Sequence, residues 1–332
     1  MKTDKKSLQF EPLFDLRSAE KVEPHDARQQ PDRRDGAVYQ MAPELHLAVE
    51  VALVTGRPLL LRGEPGTGKS SLAAYLARRL DWRYYELVAT SATTATDLQW
   101  RFDAVRRLSD AQGGGARDES EYVEPGVLWW AFDRPTALQQ SSPEPNSDDN
   151  AQRNAHRAVV LIDEIDKAHP DVPNALLVAL GSNQLTIPYL PDPIQIDAAA
   201  PPLDLPREAS VSRVLVVVTT NEERELPRAF IRRCVTFRLQ HPDVGELVDI
   251  AKLHFATVEA KLTAGDETLA RAIAKKVVDL RTQAAAGEHK PSTAEFLDAL
   301  RACRGFVEVD EKDPRWQLIE QVTLRKSGRE GD

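Results

Sequence analysis

Residues 59–70 read LLLRGEPGTGKS. Three leucines run into an arginine, then into a turn-rich stretch with three glycines and a proline, and the stretch closes on Lys69 and Ser70. The spacing fits G-x-x-x-x-G-K-[ST], with Gly63, Gly68, Lys69 and Ser70 at the fixed positions. Each residue type has a physical use. The glycines let the backbone of Gly63, Glu64, Pro65, Gly66, Thr67 and Gly68 turn tightly enough for successive N–H groups to converge on one anion. A helix opening at Lys69, Ser70 and Ser71 adds its positive dipole end. Lys69 carries a mobile point charge to a phosphate, and the Ser70 hydroxyl is a hard oxygen ligand for Mg²⁺. An apolar strand before the loop and an amphipathic helix after it (Leu72, Leu76 and Leu80 on one stripe) supply the context the motif needs.

Two further apolar runs end in polar groups. AVVLIDEID (158–166) delivers Asp163 and Glu164 to the C-terminal edge of a sheet, where open α/β sheets bind ligands. Asp163 suits a water-mediated Mg²⁺ contact, Glu164 suits orienting an attacking water, and Asp166 reads as a cap beside a helix. VVVTTN (216–221) delivers Asn221, whose amide can hold that water, although asparagine at a strand end is also an ordinary turn residue. Strands apolar on both faces imply a parallel sheet covered by helices on both sides. From His241 onward only helical patterns remain. The organisation is therefore a polar extension over 1–35 with at most a short helix around Arg17, an α/β domain over 36–240, a small helical domain over 241–306, and a tail over 307–332. Within the α/β domain, the polar stretches 109–120 and 139–154 read as mobile surface loops, and the aromatic stretch 122–133 between them reads as ordered.

Composition narrows the alternatives. The chain has 332 residues, with 43 basic against 52 acidic side chains, a net charge of −9. That balance argues against broad electrostatic binding of nucleic acid. Its two cysteines, Cys234 and Cys303, lack metal spacing and read as free thiols in a reducing compartment. The N-terminus has no apolar secretory segment, and no window approaches a membrane span, so a cytoplasmic protein is expected.

In this order the elements resemble the AAA+ ATPases: LLLRGEPGTGKS as Walker A, VVLIDEID as Walker B, VVVTTN as sensor 1. The finer resemblance, carried by HLAVEVALVTGRPLLLRGEPGTGKS (46–70) and NALLVALGSNQLTIP (174–188), is to the MoxR-like branch. It covers about residues 36–306. It implies a P-loop AAA+ core of parallel sheet and helices followed by an all-helical lid, ATP and Mg²⁺ as cofactors, ATP hydrolysis in a homo-oligomeric and most simply hexameric ring, and a protein client or von Willebrand factor A domain partner. Arg232 and Arg233 stand where the family places an arginine finger, with Arg233 the better placed. Where the family usually offers a sensor 2 arginine, this sequence has Lys290 before Pro291, which can supply charge but not a bidentate fork, so that sensor 2 is either Lys290 or absent. Trp100 and Phe102, in SATTATDLQWRF (91–102), face a central pore or belong to the core. Tyr189 and Leu190 sit at the tip of a hairpin over 184–196 that is a contact surface or a packed turn. A slow nucleotide-gated scaffold and a nucleic-acid motor of the same superfamily are the competing functions.

Overall fold

The computed structural model describes residues 11–16, 36–115, 117–140, 142–196, 203, 205, 210–258, 261–285, 288–304 and 313–325. The short helix expected around Arg17 lies outside them. The described residues divide into two compact units: 11–16, 41–62 and 72–238 form one, and 36–40, 63–71 and 239–325 the other.

The first unit opens with α1 (Pro43–Thr55) and β1 (Leu59–Arg62). A left-handed Gly56 ends α1, and the helix buries Leu45, Val49 and Leu53 at helical spacing while leaving Val51 and Val54 exposed. Next come α2 (Lys69–Arg79), whose Leu72 and Leu76 are fully buried, and β2 (Trp82–Val88). β3 (Trp100–Phe102), α3 (Ala104–Gln112) and β4 (Val123–Pro125) form a small antiparallel excursion. α4 (Val127–Phe132) then buries all six of its residues, as its aromatic sequence leads one to expect. After α5 (Arg134–Ala137) and α6 (Ser147–Asn150) come β5 (Asn154–Asp163) and α7 (Val172–Ser182). The two-residue strands β6 (Gln184–Leu185) and β7 (Ile194–Gln195) pair as the expected hairpin. β8 (Val214–Thr220), α8 (Arg228–Ile231) and β9 (Val235–Arg238) complete the unit.

β1, β2, β5, β8 and β9 make one five-stranded parallel sheet in the order β2-β5-β8-β1-β9, flanked by helices, as a P-loop AAA+ core requires. The central strand β8 buries every residue, and β5 buries its last seven. The edge strand β9 was not legible as a strand. It alternates half-buried and exposed positions, so VTFR lacks the continuous apolar signal of its neighbours.

The two stretches read as mobile surface loops are in part built structure. Residues 109–112 complete α3, and 119–122 form a 3₁₀ turn. In the second stretch the Asn150 side chain, buried, accepts from the Tyr84 N–H at 2.8 Å and donates to the Tyr84 carbonyl at 3.2 Å, which docks the segment onto β2. Glu144 accepts from Arg134 at 2.7 Å and from the Tyr85 hydroxyl at 2.8 Å. Burial opposes ionisation of Glu144, but these donors hold its carboxyl below the usual range. Polar residues here satisfy buried polar neighbours, which a search for apolar runs does not detect.

The second unit contains α9 (Val244–Val258), α10 (Ala264–Gln283), α11 (Thr293–Ala302) and α12 (Pro314–Ile319), which continues as a π-helical turn over Glu320–Arg325. Capping boxes at Thr263/Asp266 and Ser292/Glu295 start α10 and α11. Leu247, Phe255, Ile273, Val277, Phe296 and Leu300 form its core together with Trp316 and Leu324. Helical packing thus extends past 306 into the described part of the tail. Both cysteines are free and buried, and burial pushes the Cys234 thiol up to about 12 and that of Cys303 up to about 11. Among the described residues no helix is long and apolar enough to cross a membrane.

Candidate functional site

Two constellations, one in each unit, gather the residues singled out from sequence. The first lies at the C-terminal end of β5. Asp163 is its last residue, and Glu164 follows in the left-handed region at φ 56°. The Thr219 hydroxyl of β8 donates to Asp163 Oδ1 at 2.5 Å and accepts from the Glu164 N–H at 2.9 Å. Asn221 Nδ2 donates to Glu164 Oε1 at 3.0 Å, and Lys167 Nζ to Glu164 Oε2 at 2.9 Å. Hydrogen bonding to Glu164 raises the Lys167 ammonium above the usual lysine value. Asp163 is 3% exposed, whereas the Glu164 side chain is 29% exposed. One carboxylate is therefore locked, and its neighbour is held between an amide and an ammonium at the surface.

Asp166 is not a helix cap. It is buried and accepts from the Glu223 N–H at 3.0 Å, tying the turn after β5 to the turn after β8. Glu222, at φ 62°, accepts from both Arg62 and Arg238, the last residues of β1 and β9, and so anchors the segment just beyond Asn221. Thr219 and Lys167 were not singled out from sequence. The pair of threonines that ends an otherwise apolar strand, just before Asn221, is the signal that marks Thr219; Lys167 shows none beyond its spacing of three from Glu164.

The second constellation is the glycine loop. Lys69, buried, folds back to donate to the Gly63 and Glu64 carbonyls, both at 2.8 Å, and the Thr67 hydroxyl donates to Glu64 O at 2.9 Å. Gly63, Gly66 and Gly68 all have positive φ. A Cβ on Gly66 would fall on the side chain of Ser292, and one on Gly63 on the Leu239 carbonyl, so backbone passes close at both points. The Thr293 N–H donates to Gly66 O at 3.3 Å. Pro65 is exposed, and Ser70 and Ser71 are half-buried. Lys290 Nζ donates to both oxygens of Glu64, at 2.7 and 2.9 Å, and His241 Nε2 lies 3.1 Å from Oε2. The Lys290 hydrogen bond is the main reason the Glu64 carboxyl sits below its usual range, while burial pulls the His241 imidazole down. Arg281 bonds the Pro291 and Pro242 carbonyls at 2.7 and 3.0 Å, and burial brings its guanidinium down to about 10. Lys290, His241 and Ser292 are distant in sequence, and only Lys290 was foreseen, through the resemblance.

Taken by itself, the glycine loop suits a phosphate, since turn N–H groups and a lysine ammonium on one loop fit an anion and the half-buried Ser70 hydroxyl is a hard oxygen donor. In the other unit, the buried Asp163 carboxylate is likewise a hard oxygen donor suited to a divalent cation. Arg232 and Arg233 join neither constellation. Both are exposed, and among the described residues neither guanidinium makes a hydrogen bond or ion pair. Trp100 and Phe102 are half-buried and pack on Tyr189, at ring separations of 5.4 and 4.8 Å.

The family model for the AAA domain (dynein-related subfamily) matches residues 58–234, and the chain belongs to that family. A 43-residue stretch is 51% identical to the replication factor C large subunit of Methanocorpusculum labreanum, covering 13% of this chain and 9% of that protein. Over 213 residues, 63% of this chain, it is 25% identical to the mitochondrial Lon protease homolog of Aspergillus niger, of which it spans 15%. Among solved structures, the Thermotoga maritima RuvB Holliday junction branch migration motor matches 84% of this chain and 67% of its own at 17% identity, with a TM-score of 0.44. A Cytophaga hutchinsonii chain described as a putative ATPase matches 84% of this chain and 79% of its own at 16% identity, with a TM-score of 0.39. The likeness to these chains is weak, and family membership rests on the domain match.

Proposed function

We propose that this AAA-domain protein binds and hydrolyses ATP with Mg²⁺, and that it does so as a MoxR-like ring, most simply a hexamer, which remodels or assembles a partner protein complex with a von Willebrand factor A domain protein. The observation that carries the hydrolytic part is the Glu164–Asn221 pair beside a buried Asp163. In this reading Lys69 and the N–H groups of Gly63–Ser71 bind the phosphates, and the hydroxyl of Ser70 and the carboxylate of Asp163 are the oxygen ligands for Mg²⁺. Bound magnesium supplies charge neutralisation at the phosphates. Glu164 orients the attacking water and accepts its proton, and Asn221 fixes the carboxylate that does so. Lys167 releases one Glu164 oxygen for this to happen. Exposed Arg233, with Arg232 beside it, serves a neighbouring copy's nucleotide. The helical residues 241–306 act as the lid, and Lys290 reads the nucleotide after exchanging Glu64 for phosphate.

The doubly engaged Glu164 also favours a second reading, a slow nucleotide-gated switch, because the carboxylate rests in a bound state. Paired variants test the ATPase reading. Lys69→Ala is expected to abolish ATP binding, measured by a fluorescent nucleotide analogue, whereas Glu164→Gln is expected to bind normally and lose about a hundredfold or more in turnover. Tight binding by the first or near-normal turnover by the second removes these roles. A partner retained from native lysate by Glu164→Gln with ATP, and not by Lys69→Ala, supports remodelling; identical retention by both means that ATP does not gate the association and favours the slow-switch or scaffold reading over remodelling.

A further inference from the structure

Residues 11–16, EPLFDL, lie far in sequence from the elements they touch, yet two of their side chains are as buried as the core: Leu13 is 4% exposed and Leu16 fully buried. Their main chain is read by side chains of α1 and α2. On α1, the buried Glu50 accepts from the Leu13 N–H at 2.5 Å and the Phe14 N–H at 3.2 Å through one oxygen, with His46 Nε2 3.4 Å away. On α2, the Tyr75 hydroxyl donates to Leu16 O at 2.8 Å and Arg79 Nη2 to Asp15 O at 2.7 Å. Glu11, Pro12 and Asp15 are exposed. Recognition therefore combines two apolar anchors three residues apart with four main-chain bonds, the economy of a short peptide bound in a groove. A carboxylate as buried as Glu50 costs free energy unless donors reach it, and here consecutive backbone N–H groups do.

We propose that α1 and α2 form a docking site for a short peptide with two leucine anchors three residues apart, and that residues 11–16 of this chain are its resident ligand. A partner presenting the same pattern competes with the resident segment for the seat. This does not depend on the ATPase reading.

The test uses the full chain and a fluorescent EPLFDL peptide. With Leu13→Ser and Leu16→Ser together the seat is vacated, and polarisation is expected to show saturable binding at least tenfold tighter than to the unaltered chain. A peptide with both leucines replaced by serine is expected to lose at least tenfold, and Tyr75→Phe in the vacated chain several-fold. Equal binding to both chains, equal binding of both peptides, or no binding to a folded vacated chain overturns the proposal. If the double substitution unfolds the chain, hydrogen exchange on the unaltered protein decides. Excess EPLFDL must accelerate exchange at the Leu13 and Phe14 amides, and unchanged rates overturn the proposal.

Discussion

Glu64 is an acid placed in a loop that would bind acid anions. Its charge is cancelled within the same unit by Lys290, with His241 alongside. The sign of its effect on stability follows from its depressed carboxyl pKa. Folding favours the ionised form, so the stabilisation is fully present above the unfolded value of 4.5 and is lost as pH falls through the lower folded value. Replacing Glu64 with glutamine is expected to flatten the acid limb of the stability curve below about pH 4.5, as read from urea midpoints between pH 7 and pH 3; an unchanged limb refutes the assignment. Gly66 makes a different demand. Its φ of +76° and its approach to Ser292 both exclude a side chain. Gly66→Ala is expected to cost about 2 kcal/mol or more from strain and overlap, seen as a lowered melting temperature, and Ser292→Gly in the same chain should recover part of it. The glycine was legible in the motif, but its steric reason was not, because Ser292 lies more than two hundred residues away.

Elements were legible where apolar runs were continuous. β1, β2, β5 and β8 announce themselves, as do α9, α10 and α11, because each buries a long face with one chemistry. β9 and the stretch 139–154 do not, since an edge strand needs only half its residues apolar and a docked loop needs only a few matched polar atoms. Asn150 is the case in point. Asn150→Ala removes the acceptor of the Tyr84 N–H and the shorter of two amide donors to the Tyr84 carbonyl, the other being Asn146 at 3.4 Å, and weakening buried polar contacts of this kind costs about 1–3 kcal/mol. Chemical unfolding of that variant is expected to show a loss in this range, and a loss under 0.5 kcal/mol would mean that water replaces the amide. The same logic places Thr219 in the candidate site. It lay in plain view within VVVTTN, but its two bonds, to Asp163 and Glu164, depend on the β5–β8 register, which no local pattern encodes.

For the whole molecule, the proposed assembly is tested through Arg233. Arg233→Ala is expected to lower turnover at saturating ATP by about a thousandfold if the guanidinium acts as a finger. Mixing it with Lys69→Ala subunits should restore part of the activity, because each copy supplies what the other lacks; no recovery at any ratio counts against a site completed between copies. The acidic balance of the chain is consistent with a protein partner, and addition of DNA is expected to leave turnover unchanged. A last consequence follows from how the chain is threaded. It passes from one unit to the other between Gln40 and Met41, between Arg62 and Gly63, between Ser71 and Leu72, and between Arg238 and Leu239. The glycine loop thus belongs with the helices at the far end of the gene, while the strand before it and most of the helix after it do not. A crossover that replaced only the DNA encoding residues 239–325 would pair an incoming Ser292 and Lys290 with a resident Gly66 and Glu64. Descent should therefore treat these distant positions as one inherited character, exchanged together or not at all.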